Sequence, residues 1–174
     1  MHIILIGYRC TGKTSAGKAI AEKLGCPFYD TDVLITDRTG QTIKVWVEKN
    51  GWDSFRLKEK EVIKEISLWE PGVIALGGGA ILDPENREVI KKNGRCIWLT
   101  TDIRTILGRM QSDPNNQDNR PSLSSKDMEN EIRETLAQRS PLYQQLADYT
   151  VDTTRRKSIE IAEELCTLFE MKTP

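Results

Sequence analysis

Short apolar runs rich in β-branched residues alternate along the chain with longer stretches in which apolar residues recur every three or four positions. That order predicts an α/β protein built on a parallel sheet. Five core strands are expected at 2–6, 27–30, 72–76, 95–99 and 149–152, several of them continuous apolar runs suited to burial on both faces. Helices fill the gaps. The first covers 14–24 and is closed by Gly25, and a second covers 57–69 with Val62, Ile63, Ile66 and Trp69 as its apolar stripe. A third spans about 84–92, with a proline in its first turn and Gly94 beyond its end. Two more are expected at 102–110 and 126–137, and Ile159, Ala162, Cys166 and Phe169 set the inward stripe of the last. Residues 111–126 (QSDPNNQDNRPSLSSK) are polar, carry two prolines and are too short for an interdomain tether, so they read as a mobile lid on a single domain, 1–174.

Composition narrows the classes. With 174 residues, 38% of them hydrophobic, the chain can bury a full core, and a net charge of -1 provides no global field to recruit nucleic acid or an anionic membrane. Any anion must be bound locally. Cys10, Cys26, Cys96 and Cys166 show no Cys-x-x-Cys spacing and read as reduced thiols. The apolar run before Gly7 is too short for a signal sequence or a membrane span, so a cytoplasmic location is expected.

The segment Gly7-Tyr8-Arg9-Cys10-Thr11-Gly12-Lys13-Thr14 fits G-x-x-x-x-G-K-[ST] and lies between an apolar strand and a helical pattern, the context that gives the motif its meaning. Its glycines admit close backbone approach, and the N–H groups of the loop, with Cys10, Thr11 and Gly12 among them, can cradle phosphates at a helix start. Lys13 would follow the β- and γ-phosphates and Thr14 would offer its hydroxyl to magnesium. Asp30 and Asp102 both follow apolar strands and compete for the acidic side of the metal. Asp102, beside Thr100 and Thr101 and before a helical pattern, reads as an N-cap, which leaves Asp30 for magnesium.

The loop describes only the phosphate donor, so the acceptor must be read elsewhere. Asp30-Thr31-Asp32 sets two carboxylates at a strand end, one for the metal and one for substrate hydroxyls, although the same pattern also suits a helix cap. Arg56 and Glu59 form an i, i+3 pair that is often only a surface ion pair. Gly77-Gly78-Gly79 follows an apolar strand and clears space for ligand atoms. Arg120, within the lid, is placed to meet the transferring phosphoryl group, and Arg139, expected where a helix ends before Pro141, is placed to grip a carboxylate.

Taken together, GYRCTGKT, FYDTD, GWDSFRLKE, GGG, RPSL and RSPLYQQLADYTVDT resemble the shikimate kinase family over essentially the whole chain and in the same order. The resemblance implies a three-layer P-loop kinase fold of the nucleoside monophosphate kinase-like class, with a five-stranded parallel sheet. It also implies transfer of the γ-phosphoryl group of ATP to the 3-hydroxyl of shikimate, with magnesium, on the way to chorismate and aromatic amino acids. By that likeness Lys13 bridges the phosphates, Thr14 and Asp30 hold the metal, and Asp32 reads the ring hydroxyls, with Lys13, Asp32 and Arg120 as the catalytic groups. Arg56, Arg139 and the backbone of Gly77 to Gly79 would hold the acid. The adenine side falls to Arg109 and to Thr153 through Arg156, Arg155 included. RPSL stands where the family more often has RPLL, and the lid between Arg109 and Arg120 is somewhat extended. Shikimate and ATP are the expected partners of a monomer that needs neither nucleic acid nor membrane. A sugar-acid kinase of gluconate type would not be expected to combine Arg56, the triple glycine and Arg139. A silent ATP-binding module would be favoured by loss of Lys13, Asp32 or Arg120, all of which are present.

Overall fold

The computed structural model describes residues 1–112 and 125–170. Strands β1 (His2–Ile6), β2 (Phe28–Asp30), β3 (Val73–Ala75), β4 (Gly94–Thr100) and β5 (Tyr149–Asp152) form one parallel sheet in the order β2-β3-β1-β4-β5. The register pairs Ile4 of β1 with Ile74 on one side and Cys96 on the other. Because successive side chains point to opposite faces, β1 feeds two cores at once. Ile4 and Ile6 join Ile74, Cys96, Val62, Ile63 and Tyr143 on one face, while Leu5 joins Val73, Ile97, Ile20 and Leu165 on the other. This double burial explains why the strands read as unbroken apolar runs.

Helices α1 (Lys13–Leu24), α2 (Thr31–Thr39), α3 (Ile43–Ile66), α4 (Pro84–Asn93), α5 (Ile103–Ser112), α6 (Ser125–Leu146) and α7 (Ser158–Glu170) connect and cover the strands, with a short 3-10 turn at Ala80–Leu82. Among the described residues none is long and apolar enough to cross a membrane. Gly25 ends α1 in the left-handed region (φ 63°), and Asp83 caps α4 by accepting from the Glu85 and Asn86 N–H groups.

Three expectations change. Residues 31–54 were not expected to be helical, yet they hold α2 and the first half of α3. There Asp30 and Thr42 supply N-caps, and Gly51 (φ 79°, ψ 166°) absorbs a kink within α3. The helix expected at 126–137 continues to Leu146 through Pro141. Pro141 and Ala137 both lie on the exposed side, so the carbonyl deprived of its partner meets water, while Tyr143, stacked on Trp98, and Leu146 stay in the core. The inward stripe of α7 is Ile161, Ala162, Leu165 and Cys166, and Ile159 is 50% exposed. Most of the expected lid, with Arg120, lies outside the described residues.

Gly7 joins β1 to the phosphate loop at φ 143°, and a Cβ there would strike the Leu99 carbonyl of β4. Alanine at this position would combine backbone strain with a clash against a rigid strand. Gly7→Ala is therefore expected to lower stability by at least about 2 kcal/mol in urea unfolding, whereas alanine at a merely flexible glycine would be neutral or stabilising.

Candidate active site

The functional residues gather at the carboxyl ends of β1, β2, β3 and β5, where the order of the strands leaves a crevice on either side of the phosphate loop. The loop is pinned from within. Thr11 donates its hydroxyl to the Tyr8 carbonyl at 2.8 Å, and the Lys13 ammonium donates to the Gly7 and Tyr8 carbonyls at 2.9 and 2.8 Å. Lys13 is only 9% exposed, and burial lowers its pKa against the opposing pull of Asp32 and Asp30. Gly12, at the start of α1, offers no side-chain cap, so the first N–H groups of that helix are left for an anion.

A second set of bonds ties the loop to the far side of the sheet. Thr153, fully buried, has its hydroxyl 2.9 Å from the Thr11 carbonyl and 3.0 Å from the Thr100 carbonyl. Arg109 donates to the Cys10 carbonyl at 2.9 Å and to the Thr153 carbonyl at 2.8 Å. Cys10, Thr11, Arg109 and Thr153 line a cavity of about 560 Å³ together with Gly12, Ser15 and Arg156. Of the two neighbouring arginines expected on the adenine side, Arg156 lines this cavity, and Arg155 is exposed and does not.

Thr14 donates its hydroxyl to one Asp30 oxygen at 2.8 Å, while the other Asp30 oxygen accepts from the Asp32 and Val33 N–H groups at 3.0 and 3.3 Å. One carboxylate thus caps α2 and faces Thr14. Among the described residues no cluster of three or more acidic, histidine or cysteine side chains could hold a metal by itself. A hydroxyl and a carboxylate beside a phosphate cradle suit magnesium, which takes few protein ligands and keeps water and phosphate oxygens. Asp102 is an N-cap: its carboxylate accepts from the Thr105 N–H at 2.6 Å.

On the other side of the loop a cavity of about 580 Å³ is lined by Asp32, Arg56, Glu59, Gly77, Gly78, Gly79 and Arg139, with Arg9, Trp52 and Phe55 around them. Thr31, buried between the two aspartates, accepts the Gly77 N–H at 2.9 Å and so fixes the start of the glycine run. The Gly78 carbonyl accepts from Arg139 at 3.1 Å and from the Tyr143 hydroxyl. The Arg56 guanidinium rests against Gly79, where a Cβ would collide with it, and lies 5.3 and 5.2 Å from the Trp52 and Phe55 ring centres. Its Nη1 sits 2.5 Å from Glu59 Oε2.

Glu59 departs from expectation. It is fully buried, so its pair with Arg56 is an interior one, and burial pushes its carboxyl up to about 7 despite Arg56. Burial, with Asp30 next, likewise raises Asp32 to about 6. Thr31 and Tyr143 were not singled out from sequence, and Glu59 was read there only as the ion-pair partner of Arg56. A helix carried through Pro141 would have put Tyr143 on the same face as Arg139, four residues before it, which was the available signal.

A family model described as Shikimate kinase matches residues 9–170. The shikimate kinase of Syntrophus aciditrophicus is 42% identical over 97% of this chain and 91% of its own length. Shikimate kinase 2 of Yersinia pestis is 37% identical over 94% of this chain and 92% of its own. Among solved structures, the shikimate kinase of Acinetobacter baumannii in complex with shikimate superposes with a TM-score of 0.90 at 35% identity, over 99% of this chain and 94% of that one. That of Bacteroides thetaiotaomicron gives 0.87 at 29% identity, over 98% of both chains. A sugar kinase from Janibacter shares the fold alone, with a TM-score of 0.53 at 15% identity, over 98% of this chain and 95% of that one.

The raised carboxyl of Glu59 predicts a pH signature. A folded-state value near 7 against an ordinary 4.5 gives a stabilising contribution that is complete below about pH 4.5 and lost as pH rises through 7. The stability of the wild-type protein relative to Glu59→Gln should therefore fall by about 3 kcal/mol between pH 4.5 and 8, read from urea midpoints. A difference that stays constant across that range would mean that Glu59 is ionised in the folded protein throughout.

Proposed function

The chain belongs to the shikimate kinase family, a family of ATP-dependent phosphotransferases, and we propose that it moves the γ-phosphoryl group of ATP onto the 3-hydroxyl of shikimate. The observation that carries this reading is the pairing of a phosphate loop with a cavity in which Arg56 and Arg139 flank Gly77–Gly79 and Asp32 faces them, a cradle for a hydroxylated acid. Supporting it, the superposable Acinetobacter baumannii enzyme is in complex with shikimate.

In this reading the loop N–H groups from Cys10 to Thr14 and the start of α1 bind the phosphates of ATP. Lys13, bonded to loop carbonyls at 2.8 and 2.9 Å, turns its ammonium to the β- and γ-oxygens. Thr14 and Asp30 hold magnesium, which neutralises phosphate charge when bound. Asp32, raised to about 6, accepts the proton of the attacking hydroxyl, a role that favours a base titrating close to the working pH. Arg56 and Arg139 take the carboxylate through charge-assisted bonds, and Arg120 meets the transferring phosphoryl group. Arg109, Thr153 and Arg156 border the adenine side. The cytoplasm is the proposed compartment, consistent with the lack of any disulfide among the four cysteines, and a monomer is the proposed working unit.

ADP release with shikimate, gluconate and AMP offered as separate acceptors tests the assignment. Turnover is expected with shikimate alone, and a folded Lys13→Met protein should lose it by a factor of at least about 10², because the lysine acts on developing charge. Phosphorylation of gluconate or AMP in preference to shikimate would overturn the reading.

A further inference from the structure

Glu59 has work that the phosphoryl transfer itself does not use. Its Oε2 is paired with Arg56, but its Oε1, fully buried on the cavity wall, has no hydrogen-bond partner among the described residues. A buried carboxylate oxygen left without a donor is costly, and it faces the space where substrate would sit. Oε1 and Asp32 Oδ1 each lie 2.7 Å from where a Cβ on Gly77 would stand, so two carboxyl groups converge on the glycine that floors the pocket. The charged and titratable groups around Glu59 are Arg56 on its own helix, Asp32 from α2, and Arg139 and Tyr143 from α6. Lys13 and Asp30 face Asp32 from beyond.

Around the glycine run two arginines, Arg56 and Arg139, balance two carboxylates, Asp32 and Glu59, while Arg9, Lys44, Glu48 and Glu131 line the rest of the cavity in equal number of each sign. An acid acceptor brings a third negative charge to the glycine run, where an uncompensated charge beside buried groups is expensive. We propose that Glu59 is the proton-linked counter-charge of the acid pocket: when the carboxylate of the acceptor docks on Arg56 and Arg139, Glu59 takes up a proton from solvent. This inference rests on the acid-acceptor reading given above. Protonation neutralises one charge, frees Arg56 to turn its donors to the substrate, and gives Oε1 a hydrogen to donate toward Asp32 or a substrate hydroxyl. The sign follows from the like charges: a bound carboxylate raises the proton affinity of Glu59, so acid binding is tighter on the acid side of neutrality and loosens as pH rises. Glu59 is a positioning residue in this scheme, acting through Arg56.

Calorimetric titration of the whole chain with shikimate at pH 7.5, in two buffers of unlike ionisation enthalpy, reads the proton directly. If the carboxylate raises a Glu59 value near 7 by about one unit, wild-type binding should take up roughly half a proton. Glu59→Gln should keep at most about a fifth of a proton, the share that a one-unit rise of Asp32 from about 6 would supply. Wild-type binding without uptake, or uptake undiminished in Glu59→Gln, would overturn the proton link while leaving the kinase reading intact. Failure of the wild-type protein to bind shikimate at all would overturn both. Should Glu59→Gln not fold, the wild-type Kd decides between pH 6.5 and 9: a loosening of up to about tenfold supports the link, and a flat profile overturns it.

Discussion

Three residues without side chains govern this site. Gly77, Gly78 and Gly79 leave the end of β3 as bare backbone, and six functional groups take their places from it. Thr31 holds the Gly77 N–H, Arg139 and Tyr143 share the Gly78 carbonyl, and Arg56 lies flat on Gly79 with Asp32 and Glu59 closing over Gly77. Any Cβ at Gly77 or Gly79 would occupy the position of a charged group. The backbone thus brings α2, α3 and α6, which are far apart in sequence, to a common surface, and it does so where burial strengthens each electrostatic interaction.

The same sheet end supplies the second half of the reaction. β1 lies between β3 and β4, so the loop that follows β1 stands between the glycine run of β3 and the Thr153 region after β5. Thr153 and Arg109 hold the loop from one side, and Lys13 holds it from within through the carbonyls of Gly7 and Tyr8. The two cavities proposed for donor and acceptor are therefore neighbours as a result of strand order, and the phosphate loop is their shared wall. Placing both substrates against one rigid element gives an orientation advantage that a tether or mobile segment would not.

The strands, the phosphate loop and the Asp102 cap were legible because each is a local pattern: an apolar run, a fixed spacing, a polar residue before a helical period. What was not legible depended on partners remote in sequence. Residues 31–54 carry Thr-rich and KNGWDS segments whose helical state is set by caps at Asp30 and Thr42 and by packing of Ile35, Phe55 and their neighbours. Pro141 would end an isolated helix, but here it sits on the wet side while Tyr143 is held by Trp98 and Gly78. The pair Arg56 and Glu59 looks the same in sequence whether it is exposed or buried, and only the fold decides its energy.

The central claim is that Arg139 grips the acceptor's carboxylate from its place on the glycine run. A cycle of shikimate and its methyl ester against wild type and Arg139→Ala tests it most directly, because the ester keeps the ring hydroxyls and loses the charge. The ester should be poorer in kcat/KM by roughly 10 to 10³-fold with wild type, and that penalty should shrink by at least about tenfold in Arg139→Ala. An ester penalty as large in the mutant as in wild type would show that Arg139 does not touch the carboxylate, and the pocket would have to be redrawn.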